Sequence, residues 1–600
     1  MKIRVADYIA EILVKNGICN VFTVVGGGAM HLNDALGNHK GISCIYNHHE
    51  QACAMAAESY ARLDGRMAAA CVTTGPGGTN AITGVLCAWQ DNIPMLVISG
   101  QVRSNTTVES TGLNLRQFGE QEHYIVDTVR SITKYAVTVK HANDIRYELE
   151  KCIYLASSGR RGPCWIDIPL DIQGAMIETE EMMGYNPETR MCNDFFDKEK
   201  LIYKLKKAQR PVLVAGSAIR SANVHNEFLE FIDKLQIPVL AANGCNDMLP
   251  VKDVRYYGNF GGIGGRAGNF MIQNADVILV LGCRMAFKHI GFNYELFSPH
   301  SYKIVVDVDE QELKKSTLKI DLPVCMDLKH FFEIFKEDKI RCEMMLPKWK
   351  EYCDELRYKF PIYQEKYQES DCVNPYYFAE ALKRSIPENG VIVVGNSCAC
   401  DCCRQCGTAE SGQRLWGNTN CGTMGYDLPA AIGAAVAGKR DVYCVTGDGS
   451  IQMNLQELQT IVHNKLPVKI FINNNEGYFA IEQTHSNFFG RLTGCTRESG
   501  ISFPDFSKLA YAYGIPYCKI ANHQELDQHL SEFLALDGYG ICEIISDTSQ
   551  PIEPKSKSKA LENGEIVSPP LDDLYPFLEK SVYDKYADFK NYGGNTDGRN

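Results

Sequence analysis

Three stretches of the chain repeat one alternation: a short run of aliphatic and β-branched residues, a glycine-bearing turn, then apolar residues at helical spacing. The first, about residues 1–175, includes MLVISG (95–100) and closes with GPCWIDIPLD (162–171). The second, about 195–345, has RPVLVAG (210–216), a helical pattern from Phe228 to Leu235, then IPVLAA, NADVILVLG and YKIVVDVD. The third, about 370–550, has GVIVVG, DVYCVTGDG, the helical LQELQTIVHN and PVKIFINNN. Short buried-looking strands separated by helices predict parallel sheets covered on both faces. The expected fold class is therefore α/β, with three doubly wound parallel-sheet domains. Between them lie a polar stretch rich in Met and Glu (176–195) and a helical stretch rich in Lys, Glu and Tyr (about 346–370). Residues 551–600 read as a polar, proline-punctuated tail whose end, NYGGNTDGRN, has the composition of a disordered segment.

Bulk properties narrow the class. With 600 residues the chain is too long for one core. A net charge of −12 argues against a general nucleic-acid or acidic-membrane surface. No apolar run reaches the roughly 18 residues that span a bilayer. The N-terminal MKIRVADYIAEILVKNGI places Val5, Ile9, Ile12 and Leu13 on one helical face and Gly17 at a C-cap, so it reads as a core helix and not a signal peptide. The 24 cysteines then point to a reducing cytoplasm. CACDCCRQC (398–406) has spacings that suit zinc or an iron–sulfur centre. It lacks a second ligand pair at the usual distance, and the simpler reading is a cysteine-tolerant loop after the strand Val391–Val394.

Four glycine-rich turns compete for a phosphate ligand. GGIGGRAG (261–268) contains G-x-G-x-x-A but follows no clear strand. VVGGGAM (24–30) and TTGPGGTN (73–80) sit at strand-to-helix turns without a lysine or carboxylate, so tight-turn geometry explains them. VTGDGSIQMN (445–454) differs, because Asp448 stands between Gly447 and Gly449, and Ser450 opens a helix. The glycines allow close backbone approach, and a helix N-terminus presents amides to an anion. A carboxylate beside that anion site is repulsive unless a cation lies between them, and magnesium fits. The next strand, Val468–Ile472, ends in Asn473, Asn474 and Asn475. Asn475 follows Asp448 by 27 positions and, with the Gly477 carbonyl, offers the missing oxygens. A plain asparagine-rich turn accounts for Asn473 and Asn474 but not for the pairing with G-D-G-S.

G-D-G followed at this spacing by N-N resembles the magnesium–diphosphate motif of thiamine diphosphate enzymes. NHHEQACAMAAESYAR (47–62) resembles that family's activating-glutamate segment, TTGPGGTNAITGVLCAWQDNIPMLVISGQ (73–101) its pyrimidine-domain core, and GTMGYDLPAAIGAA (422–435) its acetolactate synthase branch. The resemblance covers nearly the whole chain. It implies pyrimidine-binding, central and diphosphate-binding domains in that order, thiamine diphosphate and Mg²⁺ as cofactors, and an active site shared across a homodimer or homotetramer. On this pattern Asp448, Asn475 and Gly477 hold the metal. Pro76, Asn80, Thr423, Gly447, Gly449, Ser450 and Tyr478 line the cofactor. Glu50 hydrogen-bonds the aminopyrimidine, although alone a carboxylate among Ala52, Ala54, Met55 and Ala56 reads as a salt-bridged surface group. Met424 buttresses the bent cofactor; by itself it reads as core filler.

The implied reaction is decarboxylation of a 2-oxo acid, pyruvate foremost, with transfer of the acyl-anion equivalent to a ketone or 2-oxo acceptor. Simple decarboxylases of the family carry a His-His pair after the pyrimidine-domain core, whereas His48–His49 precedes Glu50. At the expected place LRQFGEQEHYIVD (115–127) resembles the synthase segment with its catalytic Gln121, which orients a carbonyl without delivering a proton. Gly28 and His31 are further candidates for the substrate pocket, His31 also reading as a capping or core histidine. Two departures matter. Biosynthetic acetolactate synthases resemble R-F-D-D-R where flavin binds; this chain has GCRMAFKHIGFNYE (282–295), which puts FAD in doubt. GYFAIEQTHSNFFGR (477–491) resembles acetolactate synthase-like proteins found with bacterial surface-sugar biosynthesis, so a keto-sugar or another bulky ketone is the expected acceptor. The alternatives are a 2-oxo acid decarboxylase, a cyclic dione hydrolase or lyase, and a non-catalytic paralogue that would lack one of Glu50, Met424, Asp448 or Asn475.

Overall fold

The computed structural model describes residues 2–187, 196–438, 440–560 and 566–592. Its first sheet has β1 (Asn20–Thr23), β2 (Ser43–Tyr46), β3 (Ala69–Val72), β4 (Met95–Gln101), β5 (Tyr135–Thr138) and β6 (Pro163–Pro169), in the order β2-β1-β3-β4-β6-β5. All neighbours are parallel. β4 and β6 are buried throughout, as central strands covered on both faces should be. Helix α1 (Val5–Lys15) buries Val5, Ile9, Ile12 and Leu13, the face read from the sequence. α2 (Glu50–Asp64) is capped by His49, whose side chain accepts from the Gln51 amide, and stops at Gly65 with φ of 76°. α3 (Pro76–Asp91) opens with proline at its first position.

The central sheet has β7 (Pro211–Ala215), β8 (Val239–Ala241), β9 (Tyr256–Asn259), β10 (Val277–Leu281), β11 (Tyr302–Asp307) and β12 (Leu322–Cys325), in the order β9-β8-β7-β10-β11-β12. GGIGGRAG, expected to follow no clear strand, connects β9 directly to α4 (Arg266–Asn274), so that expectation is corrected. The strand was hidden because YYGN pairs with β8 at only two positions, with an irregularity between them, and carries a glycine. The helical stretch after this sheet contains α5 (Pro347–Lys359).

The third sheet has β13 (Val391–Val394), β14 (Arg414–Trp416), β15 (Val442–Gly447), β16 (Val468–Asn474), β17 (Tyr517–Ile520) and β18 (Gly540–Ile545), in the order β14-β13-β15-β16-β18-β17. CACDCCRQC is not a loop but the helix α6 (Cys398–Cys406), capped by Ser397, whose Oγ accepts from the Cys400 amide. Its five thiols are buried. Among the described residues no group of His, Cys, Asp or Glu is arranged for a metal ion. α7 (Asp427–Gly438), α8 (Glu457–Asn464) and α9 (Phe479–Phe488) complete the helices used below. α7 crosses α2 so closely that a Cβ at Gly433 would lie 2.0 Å from the Ala56 carbonyl oxygen. The third domain is thereby locked to the first.

After β18 the chain returns to the central domain. Asn269 donates to the Leu571 carbonyl (2.8 Å) and Arg266 to that of Leu574 (3.0 Å). α10 (Lys580–Ala587) buries Tyr586 beside Phe270, Tyr352 and Phe360. Polar composition concealed this aromatic stripe. Asn591 and Tyr592, the first residues of the segment expected to be disordered, are placed, Tyr592 donating to Glu355 (2.7 Å). Residues 593–600, and 188–195 of the first linker, lie outside the described residues. No described helix is long and apolar enough to cross a membrane.

Candidate active site

In an open parallel sheet, ligands bind where the strand order reverses, outside the carboxyl ends. In the third sheet that point lies between β13 and β15. β15 delivers Asp448, 2% exposed, and burial pushes its carboxyl up to about 7 against the pull of backbone amides. Oδ1 accepts from Gly449 N (2.8 Å), and Oδ2 from Asn475 N (3.0 Å) and Gly477 N (3.3 Å). One end of the Asn475 amide lies 3.3 Å from Asp448 Oδ2 and 2.7 Å from the Gly477 carbonyl oxygen. With nitrogen there, the amide donates to both. With oxygen there, three oxygens converge with no proton between them, the donor set that Mg²⁺ accepts. The neighbouring asparagines have other work: Asn473 accepts from Ser546 (3.2 Å), and Asn474 donates to Glu543 (2.7 Å).

Both lips of this crevice anchor the loop bearing Thr423 and Met424. Asn396, just past β13, donates to the Thr423 carbonyl (2.7 Å). On the other lip Gly425 N donates to Ser450 Oγ (2.9 Å), and Ser450 donates to the fully buried Asp427 (2.7 Å). Gly447 faces Ser397, whose Cβ would be 3.1 Å from a Cβ placed there. Gly449 lies under Tyr478, whose ring would meet a Cβ at 2.2 Å. Asn396, Ser397 and Asp427 escaped the sequence reading. The signal was the G-N-S ending of β13, which occupies the same place beside the reversal as G-D-G-S.

In the first sheet the order reverses between β1 and β3. Gly28 N donates to Thr73 Oγ1 (3.1 Å), and a Cβ at Gly28 would strike Thr74 Oγ1 at 2.0 Å. At the first turn of α3, Asn80 donates to Glu50 Oε2 (2.9 Å), while Gly77 leaves Oε1 uncovered, a Cβ there standing 3.5 Å away. Glu50 is 9% exposed. Gln121 has φ of 61° and is exposed; its carbonyl oxygen would be 2.2 Å from a Cβ at Gly75, which also has positive φ. That turn therefore requires glycine. His31 packs on Gly174, 2.9 Å from its ideal Cβ, and no hydrogen bond ties it to Glu50 or Gln121. Within one chain the Glu50 side chain bonds Asn80, with no hydrogen bond to the Asp448 cradle. Its neighbours do reach the third domain: Asn454 donates to Gln51 Oε1 (2.9 Å), and His48 N to Glu457 (3.0 Å).

Known families match along the same lines. Residues 3–124 match the N-terminal thiamine pyrophosphate-binding domain of thiamine pyrophosphate enzymes, 199–334 their central domain, and 396–544 their C-terminal thiamine pyrophosphate-binding domain. The chain is 30% identical to the acetolactate synthase large subunit of Haemophilus influenzae over 95% of its own length and 99% of the relative's. It is also 30% identical to the acetolactate synthase isozyme 3 large subunit of Escherichia coli, covering 88% and 92%. For the chloroplastic acetolactate synthase 3 of Brassica napus the identity is 28%, over 92% and 84%. Sheets, crevices and matches agree: the chain belongs to the thiamine diphosphate-dependent enzymes, in their acetolactate synthase-like branch.

Proposed function

We propose that the protein is a carboligase that decarboxylates pyruvate and transfers the two-carbon unit to a ketone or 2-oxo acceptor, with a keto-sugar as the acceptor that the resemblance of residues 477–491 supports. The observation that carries this reading is the oxygen cradle of Asp448, Asn475 and Gly477 in a chain that also fixes a buried glutamate on α2. Thiamine diphosphate, when bound, supplies the electron sink that lets the bond to the departing carboxylate break. Asp448, Asn475 and the Gly477 carbonyl would hold Mg²⁺, and Gly447, Gly449 and Ser450 would leave room and amides for the phosphate oxygens. Met424 and Thr423 brace the cofactor from a loop that both lips of the crevice anchor.

With the cofactor bound, Glu50 would reach the pyrimidine ring through Oε1, while Asn80 fixes Oε2, and exchange a proton with the ring there. Pro76 and Tyr478 line the two ends. Gln121 orients the acceptor carbonyl through its amide, which has no proton of suitable acidity to deliver, so ligation prevails over release of an aldehyde. Gly28 borders the same crevice. The family resemblance makes the complete site one shared between two copies, in a dimer or a tetramer, and the lack of a hydrogen bond from Glu50 to the cradle within one chain accords with it. Val25 and Met30, flanking the Gly26–Gly28 turn, and Leu113 and Phe118, in the segment before Gln121, are exposed large apolar residues, which accords with an interface there. A cytoplasmic location accords with 24 cysteines.

The test is pyruvate turnover with thiamine diphosphate and Mg²⁺, following carbon dioxide and identifying the product, alone and with added keto-sugars. Acetolactate or a branched sugar is expected, and Glu50→Gln abolishes it. Acetaldehyde as the sole product, with every acceptor offered, would make the protein a decarboxylase; no pyruvate turnover by the loaded protein would remove pyruvate as donor.

A further inference from the structure

The loop between β14 and α7, which carries Thr423 and Met424, also carries Cys421, and it leans on α3 of the first domain. Asn420 donates to the Asp91 carboxylate and, at 3.5 Å, to the Gln90 carbonyl. Asn418 is fully buried and shares its amide between two acceptors, Cys87 Sγ on α3 (3.5 Å) and the Thr423 carbonyl (3.4 Å). Asn396 completes the chain by donating to Asn418 Oδ1 (3.0 Å). Beside these contacts the half-buried Cys421 packs on the core that contains Cys87, and the two thiols lie within hydrogen-bond reach of one another.

Thiols such as Cys71 and Cys444 are sealed in the core, and burial pushes them up. Cys421 is different. A hydrogen bond from Cys87 and a second from the Thr423 N–H hold its thiol below the ordinary value, against its partial burial and the acids Asp91 and Glu58. Both acids are paired with Arg62. Cys87, which donates to Cys421 and is buried, is pushed up instead. A partly exposed, acidified thiol beside a buried one is the arrangement in which a cysteine is oxidised selectively and then resolved, a use that a reducing cytoplasm allows. Cys518 is held low by Cys542 in a similar way, but those two face one another across the regular ladder of β17 and β18. Of the two, only Cys421 sits on the loop that serves the cofactor.

We propose that Cys421 and Cys87 form a peroxide-sensitive modification site, in which a hydroperoxide joins the two thiols in a disulfide and so loosens the loop that carries Thr423 and Met424. The Cys421 thiolate attacks one oxygen of hydrogen peroxide, the O–O bond breaks, and the sulfur becomes a sulfenic acid. The hydroxide that leaves takes the Cys87 proton and becomes water. The Cys87 sulfur then displaces hydroxide from Cys421, forming the S–S bond, and that hydroxide is protonated from solvent, where the Cys421 proton had gone. Two electrons pass from the sulfurs to the peroxide. Contraction to a bond of about 2.05 Å draws Cys421 from the Thr423 N–H and Cys87 from Asn418, so the brace of the loop is lost. The inference does not depend on the reaction proposed above, because it is read from a bond and a binding constant. Reduced protein loaded with thiamine diphosphate and Mg²⁺ is treated with hydrogen peroxide, its disulfides are mapped by mass spectrometry, and thiamine diphosphate affinity is measured by calorimetry before and after. A peptide pair joining Cys87 to Cys421 is expected, with an affinity about tenfold weaker that dithiothreitol restores. In C87A dimedone captures a sulfenic acid at Cys421, and C421S keeps its affinity through the same treatment. Oxidation elsewhere with Cys421 left reduced, a Cys87–Cys421 bond without change in affinity, or a loss of affinity that C421S shares would overturn it.

Discussion

The first and third sheets have the same strand order, yet their reversal points are made for different work. In the first, the turns after β1 and β3 close on one another: Gly28 bonds Thr73, Gly75 packs on Gln121, and Glu50 is brought near, held by the Asn80 amide. In the third, the turn after β15 carries a buried carboxylate held by backbone amides, and the next strand adds two more oxygens. On the proposed reading, one topology provides a place for proton sharing in one domain and a place for a cation in the other. The difference lies in a single side chain between two glycines and in how the following strand ends. Fold alone does not assign the role.

That division can be broken by experiment. Glu50→Gln keeps the shape but cannot share a proton, so turnover falls about 10²–10⁴-fold while thiamine diphosphate affinity stays within a few-fold; a loss of affinity instead would erase the division. Asp167, fully buried in the first sheet with Ser99, Gln101 and Thr138 as donors, has its carboxyl pushed from 3.8 up to about 6 by burial. A raised carboxyl favours the folded state at low pH, and that contribution is lost as pH rises through the folded value. Asp167 therefore makes stability fall by about 2 kcal/mol between pH 4 and pH 7, and urea midpoints for Asp167→Asn should lack that slope. Gly75→Ala forces a Cβ onto the Gln121 backbone at positive φ and should cost about 2 kcal/mol in the same assay. Gly449→Ala meets side-chain rings that can shift, Tyr478 and at 3.3 Å Phe503, and should cost less. Asn80→Ala frees Glu50 Oε2 and should lower turnover about tenfold, with Asn80→Ser recovering part of it.

Much of this contrast is legible in the sequence. Buried strands announce themselves by aliphatic runs such as MLVISG, and G-D-G-S with N-N-N announces an oxygen site because an acid beside helix amides needs a cation. Pairings that depend on three dimensions are not legible. Asn80 lies 30 positions from Glu50, and nothing in either segment shows that α3 aims one at the other. Asn396 and Ser397 look like a loop until β13 is placed beside β15. CACDCCRQC misleads because cysteine is depicted by its metal chemistry, whereas five buried thiols on a capped helix behave as small apolar residues. The tail misleads in the opposite sense, since its polar residues outnumber the few aromatics that dock it.

The most direct measurement is a calorimetric titration of thiamine diphosphate into metal-free protein, before and after Mg²⁺ is added, for wild type and Asp448→Ala. Wild type is expected to bind only with Mg²⁺ present, and the variant to lose at least about a hundredfold in affinity. Binding that ignores the cation, or that survives unchanged in Asp448→Ala, would contradict the oxygen cradle and the reading built on it.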